Sequence, residues 1–334
     1  MISKYKQKTN VKKILVLRLS SIGDVLLTTP VVRCLKHQLP HTEIHFVTKP
    51  GAALLMEHNP NVDRLLVLGA SDEELVATLR NERYDFIVDL HNNHRTRRIR
   101  HALGLPCSVY RKENAHKFLY VMSKRDVMSG RHVVDRYFDA VASLGVTDDG
   151  GGLDCYLPPA VQEELQPFEP AGPYAVIACG AQHLTKQIPV EGLLQLCQHV
   201  RMPVLLLGDK RDAERIRNLI PRLGPHVVNL CGETSLPVSA ALVRDAACVV
   251  TPDSAMMHIA AAFCRPVCAV WGATVPSFGF SAFRTPHIDS EVRPLWCRPC
   301  SRMGGERCPL GHFRCMNGQD WQAIADWVNE LMTK

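Results

Sequence analysis

Residues 14–40 read ILVLRLSSIGDVLLTTPVVRCLKHQLP. The first six, ILVLRL, are apolar apart from Arg18 and long enough for one strand. A turn of small residues with a single glycine, Gly23, follows, and then a helical run closing on VVRCLKHQLP. Strand, small-residue turn and helix is the arrangement in which α/β proteins commonly hold a phosphate at a helix N-terminus. This turn carries a carboxylate, Asp24. A negative group where the fold invites an anion leaves the turn with some other task.

The alternation continues outward from this stretch. EIHFVT, VDRLLVL and DFIVDL read as strands; GAALLMEHNP and DEELVATLRNERY read as helices. Strands separated by helices give a parallel sheet covered on both faces. The proline-rich residues 157–173, LPPAVQEELQPFEPAGP, read as a linker. The alternation then restarts with the strands YAVIAC, PVLLLG, HVVNLCG, CVVTP and PVCAVWG, and with helices between them. The expected architecture is therefore α/β: two Rossmann-like doubly wound domains facing each other across a cleft. Residues 1–165 form the first domain and residues 166–334 the second. The terminal DWQAIADWVNELM is an amphipathic helix expected to pack back on one of them, the first being the assignment adopted here.

At 334 residues the chain exceeds one typical core. No apolar run approaches the ~18 residues of a membrane span, and the basic start MISKYKQKTNVKK leads into no signal-peptide core, so a cytoplasmic protein is expected. The net charge of +6 is unevenly spread: residues 1–147 hold 23 Lys and Arg against 14 Asp and Glu, and residues 148–334 hold 16 against 19. A basic first half suggests an anionic partner for that half, although a solvated surface explains the same count. Nine of the thirteen cysteines are scattered through apolar segments, as small buried hydrophobes in a reducing compartment would be.

In open α/β sheets, ligands sit beyond the carboxyl ends of the strands. In the second half, CVVTPDSAMMHIAAAF is strand, turn and helix. Thr251, Asp253 and Ser254 stand at the helix entry, and Ser254, Ala255 and Met256 would offer backbone N–H groups to a diphosphate. His258 lies one turn on, on the same face. A plain Asp/Ser N-cap with a satisfied histidine explains these residues too. The post-strand loop CGAQHLTKQIP adds Thr185 and Lys186, a cation suited to neutralising a phosphate. GDKRDAER adds Asp212 and Glu214 as candidates for a ribose contact, and WGATVPS adds Thr274. In the first half, DLHNNHRTRRIRH gathers His91, Arg95, Arg97 and Arg98 into the densest cationic cluster. It lacks the aromatics that stack bases, so a phosphorylated or carboxylated small substrate fits it better than nucleic acid.

Taken together, ILVLRLSSIGDVLLTTPVVRCL, YDFIVDLHNNHRT, HVVDRYFDAVASLG, TKQIP, LCGETSL and TPDSAMMHIAAAFCRPVCAVWGAT closely resemble glycosyltransferase family 9, the lipopolysaccharide heptosyltransferases, in that family's order and over nearly the whole chain. The resemblance implies a GT-B fold, with acceptor on the first domain and nucleotide-sugar on the second. It implies inverting transfer of heptose from ADP-heptose to the lipopolysaccharide inner core, without a required metal or other cofactor. By this resemblance Asp24 is the catalytic base, Lys186 the phosphate-binding lysine that also counts as catalytic, Asp253, Ser254 and His258 the diphosphate-binding helix entry, and Asp212 an acidic ribose contact. From the reading of the residues themselves, Ser21, Gly23, His91, Arg95, Arg97 and Arg98 join the acceptor side, and Thr185, Ala255 and Thr274 join the donor side. The expected partners are ADP-heptose and an anionic glycolipid, with peripheral contact at the inner membrane face and no nucleic acid. The chain departs from the family at two places: Ala255 stands where glycine is usual, and Gln187–Ile188 replaces Arg–Trp.

Two rival readings remain beside this one, a GT-B transferase using another nucleotide sugar such as a UDP-hexose, and a non-catalytic nucleotide-binding protein. A dinucleotide oxidoreductase is disfavoured because no GxGxxG follows the first strand. Finally, CRPCSRMGGERCPLGHFRC places Cys297, Cys300, Cys308 and Cys315 within one loop, a candidate structural zinc site with irregular spacing; reduced structural thiols or a redox-sensitive pair explain the same cysteines.

Overall fold

Leu15, Leu17 and Leu19 are buried, as are Ile87, Leu75, Leu79 and Ile99, and together they form one apolar core. They come from a computed structural model that describes residues 11–332 apart from Ala70, Glu169 and Ala171. Most of the basic N-terminal stretch and part of the expected linker fall outside the described residues. The chain divides into two compact units, Met1–Lys112 with Val133–Tyr156, and Glu113–His132 with Leu157–Lys334. The second unit therefore begins earlier than residue 166, because α8 (Val161–Leu165) packs on α11 (Leu236–Asp245). It also takes in α6 (Asn114–Ser123) from the middle of the first half.

In the first unit the strands are β1 (Lys13–Leu17), β2 (Glu43–Thr48), β3 (Arg64–Val67), β4 (Phe86–Asp89) and β5 (Cys107–Val109), all parallel, in the order β3-β2-β1-β4-β5. Its helices are α1 (Ile22–Leu26), α2 (Thr29–Gln38), α3 (Pro50–Ala53), α4 (Asp72–Asn81), α5 (His94–Leu103) and α7 (Val133–Val141). Strands β1 and β4 pair with Leu17 opposite Asp89. The chain leaves β1 for one edge and reaches β4 on the other side, so a crevice opens beyond this pair.

The second unit repeats the plan. Its strands β6 (Ala175–Ala178), β7 (Val204–Leu207), β8 (Val227–Asn229), β9 (Cys248–Pro252), β10 (Val267–Trp271) and β11 (His287–Glu291) are parallel, in the order β11-β10-β9-β6-β7-β8. That is the doubly wound dinucleotide-fold order, with the switch between β6 and β9. Helices α9 (Val190–His199), α10 (Lys210–Ile216), α12 (Ala255–Ala262), α13 (Arg314–Asn317) and α14 (Trp321–Leu331) complete it. Contrary to the expectation of a helix returning to the first domain, α14 packs on α9. Its apolar stripe of Trp321, Ile324, Ala325 and Val328 belongs to the same buried cluster as β6 and β7. A stripe spaced at three and four residues must bury against an apolar partner, and α9 supplies Leu193, Leu196 and Cys197.

Candidate active site

At the end of β1 in the first unit, Arg18 is 6% exposed. A cation buried this far needs partners. Its guanidinium donates to the Leu90 carbonyl at 2.7 Å and to the Tyr137 hydroxyl at 2.9 Å, and it pairs with Asp24 at 2.9 Å. Burial opposes the Arg18 charge, but Asp24, Tyr137 and Tyr110 together outweigh it and the guanidinium is held above its ordinary range. Asp24 is the third residue of α1 and its carboxylate reaches back to the cap: the Ser21 hydroxyl donates to it at 2.8 Å and the Ser21 N–H at 3.2 Å. An acid in a first helical turn also suits the helix dipole. Gly23 is buried and Ser21 exposed, so only the serine is open to a ligand. Asp24 is thus a carboxylate fixed from three sides with its side chain still 24% exposed.

Beyond β4, the buried Asp89 accepts from the N–H groups of His91 and Asn92 at 3.0 and 2.7 Å and pairs with Arg100 at 2.9 Å. This turn carries His91 back to β1, where Nδ1 accepts the Leu19 N–H at 3.0 Å. His91 was expected among the cations and is not one. Burial, then Arg18 and Lys112, drive its pKa down to about 3, so it is neutral at pH 7. Nor is the rest of the arginine cluster simply solvated. Arg95 pairs with Asp72, and Arg98 bridges Asp72 and Glu73 at 3.5 and 3.7 Å, clamping α5 to α4. Arg97 is exposed.

In the second unit the chemistry again sits at the switch point. Lys186, closing a short 3-10 turn after β6, pairs with Asp253 after β9 at 2.6 Å. The Thr274 hydroxyl donates to the same Asp253 oxygen at 2.7 Å. Burial works against the Asp253 charge, but Lys186, Thr274 and His258 outweigh it and hold its pKa below the usual carboxylate range. His258 is buried one turn into α12. Ser254 occupies the N-cap of α12 without capping through its side chain; its hydroxyl is 3.0 Å from that of Thr251 instead. Ala255 opens the helix and is partly exposed. Thr185 is buried and structural: its hydroxyl receives the Gly305 N–H at 2.8 Å and its carbonyl the Ala273 N–H at 3.2 Å. The close approach depends on Gly272, where a Cβ would lie 2.5 Å from the Thr185 carbonyl.

Asp212, the expected ribose contact, is held within its own loop and helix. It is 6% exposed, receives the Asp209 N–H at 3.0 Å as the third residue of α10, and pairs with Arg215 at 3.3 Å. Its carboxylate fills the space beside Gly180, where a Cβ would come within 1.9 Å. Burial raises its pKa. Arg215 also donates to the carbonyls of Cys179 and Ile188, tying the post-strand loops together. The sequence reading missed Arg18 and Arg215 as organisers of these loops; the one signal available was a charge inside an apolar strand. Ile188, one of the two departures from the family pattern, is fully buried in the core.

Among the described residues no group of three or more His, Cys, Asp or Glu side chains is arranged to hold a metal ion. This departs from the candidate zinc site at Cys297, Cys300, Cys308 and Cys315. Cys297 and Cys315 are buried, Cys300 and Cys308 partly so, and all four are free thiols. Cys297 faces His312 at 3.9 Å, and Cys300 donates its backbone N–H to Ala273, so the loop closes through these contacts. Burial and the neighbouring thiols favour protonated sulfur, pushing Cys315 to about 12. Of the scattered cysteines, Cys107 and Cys264 are exposed rather than buried.

Two doubly wound sheets, each with charged residues at its switch point, fit the GT-B fold, and the family match makes the protein a glycosyltransferase. The family model described as glycosyltransferase family 9 (heptosyltransferase) matches residues 73–306, and the chain belongs to this family. Lipopolysaccharide heptosyltransferase 2 of Escherichia coli K12 is 25% identical over 85% of this chain and 87% of its own. Lipooligosaccharide heptosyltransferase 2 of Haemophilus influenzae is 28% identical over 79% and 84%. Among solved structures, E. coli ADP-heptose lps heptosyltransferase II superposes with a TM-score of 0.75 over 96% of this chain and 98% of its own, at 20% identity. E. coli heptosyltransferase WaaC with ADP-2-deoxy-2-fluoro heptose gives 0.67 over 95% and 99%, also at 20%.

Proposed function

We propose that this glycosyltransferase moves a heptose from ADP-heptose to the inner core of lipopolysaccharide, with inversion and without a required metal. The observation that carries the reading is similarity over most of both chains to lipopolysaccharide heptosyltransferases. Unit 1 supplies the acceptor side and unit 2 the donor side. Asp24, fixed by Arg18 and Ser21, takes the proton from the attacking acceptor hydroxyl. The departing diphosphate gains charge as the glycosidic bond breaks, and Lys186 with the first N–H groups of α12 stabilises it. Asp253 holds the Lys186 ammonium in place and keeps the empty site near neutral. Thr274, Thr185 and His258 support that pair. Asp212 and Arg215 shape the loops beside it rather than touching the donor. Exposed Arg97 and Ser21 are the first-half side chains best placed to meet an anionic acceptor.

No helix among the described residues is long and apolar enough to cross a membrane. We place the reaction at the cytoplasmic face of the inner membrane, where a glycolipid acceptor would be met. The test is mass spectrometry of the product after incubation with ADP-heptose and a core-truncated glycolipid. A mass increase of one heptose is expected; transfer from a UDP-hexose, or no transfer from any nucleotide sugar, would sink the reading.

A further inference from the structure

Helix α6 has no buried residue. One side rests on aromatic rings: Lys117 stands over Phe278 and Phe280 at 5.1 and 4.3 Å, and Tyr120 meets Phe278 edge-on at 5.9 Å. The other side turns Phe118, Leu119 and Met122 to water, 52%, 51% and 67% exposed. Spacings of three and four residues put them in one stripe. At the end of the helix, Lys124 donates to the Pro299 carbonyl at 2.8 Å. The loop receiving it carries Trp296, Met303 and Leu310, at 71%, 66% and 50% exposure. These six are nearly half of the thirteen exposed large hydrophobic residues among the described residues, drawn from two short segments joined by one hydrogen bond. Scattered exposed apolar residues need no explanation, but a concentration of this kind marks an interaction surface.

The charge around the stripe selects the partner. Residues 111–132 hold six Lys and Arg against two acids, and the loop adds Arg302 and Arg307 against Glu306. An apolar stripe flanked by cations suits the boundary between acidic headgroups and acyl chains, with Trp296 at headgroup depth. A second copy seated symmetrically on the same face would oppose this excess of positive charge with its own. We propose that α6 and the loop it joins form a docking surface for an anionic lipid bilayer. The proposal rests on the placement of the reaction at the inner membrane and adds the surface that meets the lipid; it stands whichever sugar is moved.

The test is flotation of the full-length protein with vesicles, in the absence of any sugar substrate. Vesicles of phosphatidylglycerol and phosphatidylethanolamine should carry the protein up the gradient, and phosphatidylcholine vesicles should not. Replacing the stripe (Phe118→Ser, Leu119→Ser, Met122→Ser) should cut partition about tenfold or more. Reversing exposed Arg111 or Arg125 should cut it about fivefold each, with the effect fading at high salt. Because all these side chains are exposed, the thermal midpoint should not move; if the stripe variant does lose its fold, the two charge reversals decide alone. Wild-type protein that stays with the unbound fraction, or variants that float as the wild type does, would overturn the proposal. So would concentration-dependent self-association abolished by the same substitutions.

Discussion

The β1/β4 switch point of unit 1 and the β6/β9 switch point of unit 2 occupy the same place in the same topology, yet their charges are exchanged. In unit 1 a buried cation on the strand end, Arg18, steadies an anion, Asp24, which is the more exposed of the two at 24% against 7%. In unit 2 an anion after the strand, Asp253, steadies a cation, Lys186, and both are nearly buried at 13% and 15%. The fold fixes where ligands meet the protein, whereas the sign of the presented group is chosen locally. On the function proposed above, one crevice would offer a proton acceptor and the other a counter-charge for phosphate.

If the comparison holds, substitutions in the two crevices should fail in different ways. Asp24→Asn should lower turnover by roughly two to four orders of magnitude while leaving donor affinity nearly unchanged, as read by kcat and by calorimetric titration with ADP. A loss of affinity in place of turnover would break the division of labour. Lys186→Ala should reduce kcat/KM by about a hundred- to a thousandfold and weaken ADP binding as well. It also leaves Asp253 with an uncompensated charge in a nearly buried site, so chemical denaturation should show a loss of about 1–3 kcal/mol that Asp253→Asn in the same chain largely restores. Arg18→Lys tests positioning in unit 1: an ammonium cannot keep the contacts with Leu90, Tyr137 and Asp24 together, so kcat should fall about tenfold with ADP affinity unchanged. An unchanged kcat would mean that Arg18 acts only through packing.

The smallest effect concerns His91. Its folded pKa of about 3 lies below that of the unfolded chain, near 6.5. Below pH 6.5 the unfolded chain takes up a proton that the folded one does not, so stability falls as pH drops toward 3. The slope approaches about 1.4 kcal/mol per pH unit at most. His91→Gln, which keeps an acceptor for the Leu19 N–H, should flatten the dependence of the thermal midpoint between pH 7 and 5.

The strand-helix alternation was legible because central parallel strands are continuous apolar runs, as β1 and β6 are, each enclosed on both faces. The short edge strands β5 and β11 were not, since CSV and HIDSE are largely exposed and carry no such run. Asp24, Lys186 and Asp253 could be singled out by their place after a strand. Their pairing could not, because Lys186 meets Asp253 across 67 positions of chain and Arg18 meets Tyr137 across 119. His91 looked cationic because composition says nothing of burial. Arg95 and Arg98 looked available because their partners Asp72 and Glu73 belong to a neighbouring helix. The terminal helix was legible as amphipathic but not as a part of the second core, since its stripe would suit either sheet.

That last feature bears on how the protein is made. The final segment of unit 1 ends at Tyr156, whereas the core of unit 2 lacks Trp321, Ile324 and Val328 until α14 is synthesised. At ribosomal speeds of about 5–20 residues per second, unit 1 can be folded for roughly 10–35 s before unit 2 can close. Through the first two-thirds or so of that interval α6 is already made, while the rings of Phe278 and Phe280 on which it rests are not.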